Sequence, residues 1–161
     1  MKKKSIHNYL LFACVIALCL ITFMSISSPM RFNREREARE EAVKSRLLQI
    51  RQASKAFMKA NGRYASKLEE MVNAGYLVDS LRMVPYGEGE VFSYSASILS
   101  DKSDRPVPVM ECCAEYAQYL KGMDKGQVSE LINNAIDMGE FPGLKIGDLE
   151  HDNHNAGNWE L

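Results

Sequence analysis

The sequence predicts an α+β fold, in which one long N-terminal helix packs on a small antiparallel sheet with flanking helices. Residues 31–61 contain no Gly or Pro and are rich in good helix formers. Residues 92–98 alternate between apolar and serine side chains, which is typical of a strand with one buried face. The 161 residues have room for about one domain of ordinary size, which excludes a large multidomain enzyme.

An apolar run lies near the N-terminus, from Tyr9 to Ser27, and no charged residue occurs between Ser5 and Met30. Its nineteen residues would cover about 28 Å as a helix, close to the hydrocarbon thickness of a bilayer. We therefore expect a transmembrane helix at residues 9–28, after a short basic leader at residues 1–8. Two alternatives stay open, namely a signal peptide cleaved near residues 25–27 and a lipid attached to Cys14.

Basic residues flank the apolar run on both sides, so the positive-inside count does not fix its orientation. Three lysines lie at residues 2–4, and four arginines follow the run, namely Arg31, Arg34, Arg36 and Arg39. A short basic leader, one span and then a folded body favour an N-terminus inside the cell. We expect a single-pass protein of the inner (cytoplasmic) membrane with an extracytoplasmic head.

The charge is unevenly distributed along the chain. Residues 31–60 hold nine basic and four acidic residues, whereas residues 61–161 hold eight basic and seventeen acidic ones. The net charge of −1 provides no general positive excess, so we expect no nucleic-acid partner. The four arginines named above are candidate interaction residues, for neighbouring subunits or for anionic lipid head groups.

Residues 29–61 are predicted to form an amphipathic stalk helix. Apolar residues recur there at spacings of three, four and seven, which indicates one apolar stripe. The stripe consists of Val43, Leu47, Ile50, Ala53 and Phe57. Asn61-Gly62 is a left-handed stop signal. We expect the stripe to pack against a head at residues 62–161, and residues 31–41 to form a free, charged stretch at the membrane surface.

The first half of the head is predicted to hold a short helix and a hairpin. Ser66 and Glu69 have the spacing of a capping box, which would open a helix over about residues 67–74. The strand at residues 92–98 is expected to pair with an extended segment at 107–113. Pro108 cannot donate to a ladder, so it should place the second strand at an edge of the sheet or delay its start.

The second half of the head has a helix, a strand and a polar tail. Asp124 and Gln127 form a second capping box, opening a helix that Gly139 closes. Residues 144–149 are predicted to form a short strand. The tail from residue 150 onward is polar and rich in Asn, so we expect a loop that is anchored on the head by Trp159.

The four cysteines fall into two groups. Cys14 and Cys19 lie in the apolar run, where a thiol behaves as a small apolar side chain. Cys112 and Cys113 are neighbours in a predicted strand, so their side chains point to opposite faces. We expect one buried and one partly exposed thiol, without a redox or metal function.

A late acidic segment holds the densest set of metal-ligating residue types, which are weak candidates for a metal site: Asp148, Glu150, His151, Asp152 and His154. Calcium requires several converging oxygen ligands, and zinc favours His or Cys at defined spacings. Neither spacing is a strong motif, so a solvated acidic turn is the preferred interpretation. The sequence also lacks the P-loop, dinucleotide and zinc-protease motifs. We expect neither an enzyme nor a bound cofactor, and calcium remains a candidate ligand.

A run of short motifs follows the stalk helix: Asn61-Gly62-Arg63-Tyr64, a short helix with Leu68 and Met71, Gly75-Tyr76-Leu77, a Pro85-Tyr86 turn and Phe92-Ser93-Tyr94. This progression resembles the type IV pilin-like proteins, in particular the major pseudopilins of type II secretion systems. The resemblance implies N-terminal helices that pack together into a filament built at the inner membrane, and in some members a calcium ion in a late loop. The chain departs from that family at residues 5–9, which lack the Gly and Glu of the prepilin peptidase motif.

The function predicted first is therefore a membrane-anchored, pilin-like structural or assembly subunit of a cell-envelope complex, with a role in secretion. Its expected partners are the membrane and either other envelope membrane proteins or further copies of itself, contacted through the N-terminal helix. The alternative is a monomeric, membrane-anchored extracytoplasmic binding module that regulates a membrane protein partner.

Overall fold

The structure is a computed structural model that describes residues 2–100 and 106–160, with the side chains of 2–8 and 23–28 excepted. The polar turn at 101–105 lies outside this description, and so do the side chains of the predicted leader and of the last residues of the predicted span. The chain divides into two compact units, Met1–Glu37 and Ala38–Leu161. Residues 38–61 of the predicted stalk thus belong to the same unit as the head.

The described residues form a mixed α+β structure, as the sequence predicts. Its elements are α1 (Lys2–Asn61), α2 (Leu68–Asn73), a 3-10 helix (Asp79–Arg82), β1 (Ser93–Ser100), β2 (Pro106–Glu115), α3 (Tyr116–Tyr119), α4 (Lys125–Asp137) and β3 (Gly143–Gly147). The three strands form one antiparallel sheet in the order β1-β2-β3.

In the first unit α1 continues through Pro29. Within the part of the chain that the structure describes, no helix contains a stretch long and apolar enough to cross a bilayer. The predicted localisation, a single-pass inner-membrane protein with an extracytoplasmic head, is therefore wrong.

The second unit is built on the apolar stripe of α1. Val43, Leu47 and Ile50 have no exposed surface, and Ala53 and Phe57 are buried as well, which confirms the predicted core-facing stripe. These side chains share one hydrophobic core with residues from the sheet, the loops and α2. A helix gains most of its stability from burying such a face, so the periodicity of the sequence is sufficient to place this half of α1 on the head.

The sheet confirms the predicted hairpin but places β2 differently. β1 pairs with β2 along its whole length, with Ala96 opposite Met110 and Ile98 opposite Pro108. Pro108 therefore does not put β2 at the edge, since β2 is the central strand. The reason is that β3 pairs only with residues 111–115 of β2. Among the described residues, Pro108 has a neighbouring strand on one side only, which is β1. The missing N–H of a proline is tolerated at such a position, because no strand on the other side needs it as a donor.

The helix caps agree only partly with the sequence. Asp124 accepts a hydrogen bond from the N–H of Gln127 at 2.9 Å, as expected. The predicted pairing of Ser66 with Glu69 is wrong, because Glu70 accepts hydrogen bonds from the N–H and the hydroxyl of Ser66, at 2.7 and 3.0 Å. Glu70 also pairs with Arg63 at 2.5 Å. That guanidinium, together with the two bonds from Ser66, lowers the pKa of Glu70 to about 2.

The C-terminal tail runs along the outer edge of β3. The N–H of Gly147 donates to the carbonyl of Ala156 at 3.0 Å, and the N–H of Asn158 donates to the carbonyl of Lys145, also at 3.0 Å. Trp159 packs against the hydrophobic core, as the sequence predicts. The tail therefore both anchors itself and covers one edge of the sheet.

Candidate interaction site

The first unit presents an exposed apolar surface, which we call the apolar segment (residues 9–22). Its large apolar side chains are between 45% and 73% exposed. They are Tyr9, Leu10, Leu11, Phe12, Val15, Ile16, Leu18, Leu20 and Ile21. Successive helical residues are rotated by about 100° around the axis, so the four consecutive residues 9–12 alone surround the helix. A helix that is apolar on all sides is normally buried among other elements, so this segment is a candidate interaction site.

The cysteines divide as the sequence predicts. Cys14 and Cys19 are exposed on the apolar segment, Cys112 is buried in the core, and Cys113 is half-buried. Burial raises the pKa of the Cys112 thiol well above its usual value, and burial with nearby Glu111 raises that of Cys113 to about 11. Because the thiolate is the reactive form, Cys112 and Cys113 are poor nucleophiles at neutral pH.

We predict that Cys112 and Cys113 remain unlabelled when the native protein is treated with a maleimide at pH 7.5, and react only after unfolding. The raised pKa values keep both thiols protonated, and burial blocks access to Cys112. Peptide mass spectrometry after labelling with and without denaturant measures the labelled fraction of each cysteine. Labelling of Cys113 in the native protein at the rate of an exposed thiol would contradict this prediction and favour a redox role.

The four candidate arginines occupy different environments. Arg31 and Arg34 are exposed, whereas Arg36 and Arg39 are half-buried. In the second unit, Arg39 donates hydrogen bonds from Nη1 to the carbonyls of Tyr119 and Lys121, at 3.1 and 2.7 Å. Its guanidinium also lies 4.8 Å from the ring centre of Tyr86, within cation–π distance. The expectation that the whole of residues 31–41 is free is therefore wrong at Arg39, which fastens the helix to the head.

The late acidic segment forms hydrogen-bonded turns. Asp148 accepts hydrogen bonds from the N–H groups of Glu150 and His151, at 2.8 and 3.3 Å, and lies 3.7 Å from the amine of Lys145. The bond from Glu150 contributes most to lowering the pKa of Asp148. Asp152 likewise accepts a bond from the N–H of His154, at 2.9 Å. Among the described residues, no three His, Cys, Asp or Glu side chains converge as a metal site would require.

A second surface, an open cleft of about 460 Å³, lies in the second unit and has no signal in the sequence. It is lined by the end of α1, the start of β2 and the tail, and includes Lys55, Lys59, Tyr64, Pro108 and Asn155. Asn155 is buried and donates to the Tyr64 hydroxyl at 2.8 Å, which fixes one wall. Because three distant segments build the cleft, no local spacing reveals it.

Comparison with protein-family models, with curated proteins and with solved structures found no match to this chain.

Proposed function

We propose that the chain is a pilin-like structural or assembly subunit, which associates with further copies of itself through the apolar segment of α1. The observation that carries the proposal is the set of nine large apolar side chains exposed around residues 9–21. Burying each such side chain is worth about 1.5–3 kcal/mol, so covering several of them provides a strong driving force for association.

The different distribution of apolar side chains in two parts of α1 supports this proposal. Residues 43–57 place one apolar stripe in the core of the second unit and keep the other faces polar or partly exposed. Residues 9–22 have apolar side chains on every face and contribute none to that core. A stripe suits packing on one sheet, whereas an all-round apolar surface suits packing among several neighbouring helices.

The residues that carry the resemblance to pilin-like proteins have structural roles in the second unit, which also favours the proposal. Gly62 takes a positive φ of 72° directly after α1, so Asn61-Gly62 ends the helix. Leu68, Met71, Leu77 and Phe92 are all buried in the shared core. Within the second unit, they share this core with residues 43–57 of α1.

Thiol cross-linking in intact cells tests the proposal, because Cys14 and Cys19 lie on the proposed contact surface. Treatment with a short bis-maleimide should link the full-length chain into dimers and larger species. The matched control carries Cys14→Ser and Cys19→Ser, retains Cys112 and Cys113, and should give monomer only. The proposal fails if the wild-type chain stays monomeric while a mono-functional maleimide labels Cys14 and Cys19.

A binding module that acts as a monomer is the second candidate function, favoured by the open cleft. Its lining includes the apolar residues Met58 and Val107, two lysines, Lys55 and Lys59, and one acidic residue, Asp152. Such a cleft suits a ligand with an apolar body and an acidic group. This candidate gains if cross-linking finds no self-contact and Lys55→Glu with Lys59→Glu abolishes the capture of a partner by the full-length chain.

A further inference from the structure

Within the described part of the chain, one edge of the sheet has no backbone partner, and this edge belongs to β1. This strand is eight residues long and pairs only with β2 among the described residues 2–100 and 106–160. No described residue outside β2 forms a backbone hydrogen bond with Ser93–Ser100. In an antiparallel strand, alternate residues direct their N–H and C=O groups to either side, so about half of these groups face outward from the sheet.

The two edges of the sheet differ in whether another segment covers them. The C-terminal tail covers β3 through bonds from Gly147 and Asn158. β1 lacks three features that normally keep an edge from pairing with another chain, since it contains no charged residue, no Pro and no interruption of its register. A long, uncharged and regular edge is a template for an additional strand.

We propose that the β1 edge pairs with the β1 edge of a second copy, antiparallel and about a two-fold axis, to form a continuous six-stranded sheet. This contact goes beyond the proposed function, because it lies on the head and not in the apolar segment. Two copies of an uncharged strand meet without repulsion, whereas like charges directly opposite would destabilise the pair.

The side chains of β1 favour a second copy as the occupant. A two-fold axis perpendicular to the sheet places the core-facing sides of both copies on the same face of the joined sheet. Residues directly opposite each other then belong to the same face of β1, so the axis passes beside a residue, such as Ala96 or Ser97. Ile98 shares a face with Tyr94 and Ala96 but is 65% exposed. Either position of the axis places Ile98 beside Tyr94 or Ala96 of the second copy. On the opposite face, an axis beside Ala96 places Ser95 opposite Ser97 of the second copy, and an axis beside Ser97 places the two copies of Ser97 opposite each other. Such cross-strand serines can exchange hydrogen bonds.

A charge swap tests this contact by hydrogen exchange of the β1 amides. Ser95 and Ser97 are exposed, so the double change to Lys and the double change to Glu each leave the core untouched. In the wild-type full-length chain, the outward N–H groups of β1 should be protected. In either variant alone they should exchange at least about tenfold faster, because like charges oppose pairing. Mixing the Lys variant with the Glu variant should restore the protection.

The readout is local to β1, so it is independent of association through the apolar segment. Unchanged exchange in β3 and α4 verifies that both variants remain folded. The proposal is overturned if the outward amides of wild-type β1 exchange as fast as unpaired amides at every protein concentration. It is equally overturned if the mixture of the two variants exchanges no more slowly than each variant alone.

A disulfide measurement tests the same geometry in a different way. With Cys14 and Cys19 changed to Ser, the changes Ser95→Cys and Ser97→Cys should yield a rapid inter-chain disulfide under mild oxidation. The matched control is Ser129→Cys, an exposed serine on α4, which should form little cross-linked dimer. Equal cross-linking at Ser129 and on β1 would show random collision instead of strand pairing.

Discussion

Ile50→Asp is expected to unfold the second unit. Ile50 has no exposed surface and lies in the stripe of α1 that enters the core. The change removes a buried side chain worth about 1.5–3 kcal/mol and buries a charge without a partner, which costs about 3–5 kcal/mol more. A domain of this size has about 5–15 kcal/mol of stability in total, so most of it would be lost. Fluorescence of Trp159, the one tryptophan of the chain, during denaturant unfolding measures the effect.

Two matched variants separate the loss of the core from a general effect of a new charge on the helix. Gln52→Asp adds the same carboxylate at an exposed position of α1 and should change stability by less than about 0.5 kcal/mol. Ile50→Val removes one methylene from the core and should cost about 0.5–1.5 kcal/mol. If Ile50→Asp unfolds at the same denaturant concentration as Gln52→Asp, the stripe does not form the core of the second unit.

The second large effect is expected in the apolar segment, where Leu11→Gln, Val15→Gln and Leu18→Gln together should abolish assembly through α1. These residues follow a spacing of four and three, so they lie on one face of the helix. They are 61%, 55% and 64% exposed and belong to no part of the described core. The stability of the second unit should therefore be unchanged, while the cross-links through Cys14 and Cys19 disappear.

Local patterns in the sequence account for much of the second unit. The stripe from Val43 to Phe57 and the cap at Asp124 depend on residues within one or two turns, and both were predicted correctly. Long-range contacts account for two of the errors. The central place of β2 depends on β3, more than thirty residues after Pro108, and Arg39 is held by carbonyls about eighty residues further along the chain. No spacing near Pro108 or Arg39 encodes these partners.

The candidate site was predictable as an apolar surface, but its surroundings were misassigned. Hydropathy identifies residues 9–27 as an apolar segment, and the exposed apolar side chains described at residues 9–22 agree with it. Hydropathy cannot decide whether lipid or protein covers such a segment, and the predicted bilayer span was wrong. The open edge of β1 was also missed, because the order of strands in a sheet is not encoded in the alternation of residues 92–98.

The most direct test of assembly through α1 is sedimentation velocity of the full-length chain over a hundredfold range of concentration. We predict wild-type species larger than a dimer, whose proportion increases with concentration. The variant with Gln at 11, 15 and 18 should form nothing larger than the dimer that β1 can provide. A control with Val78, Ile136 and Met138 changed to Gln, which removes equally exposed apolar side chains from the second unit, should sediment as the wild type. A wild-type chain that never exceeds a dimer, or a variant at 11, 15 and 18 that sediments like it, would contradict the account.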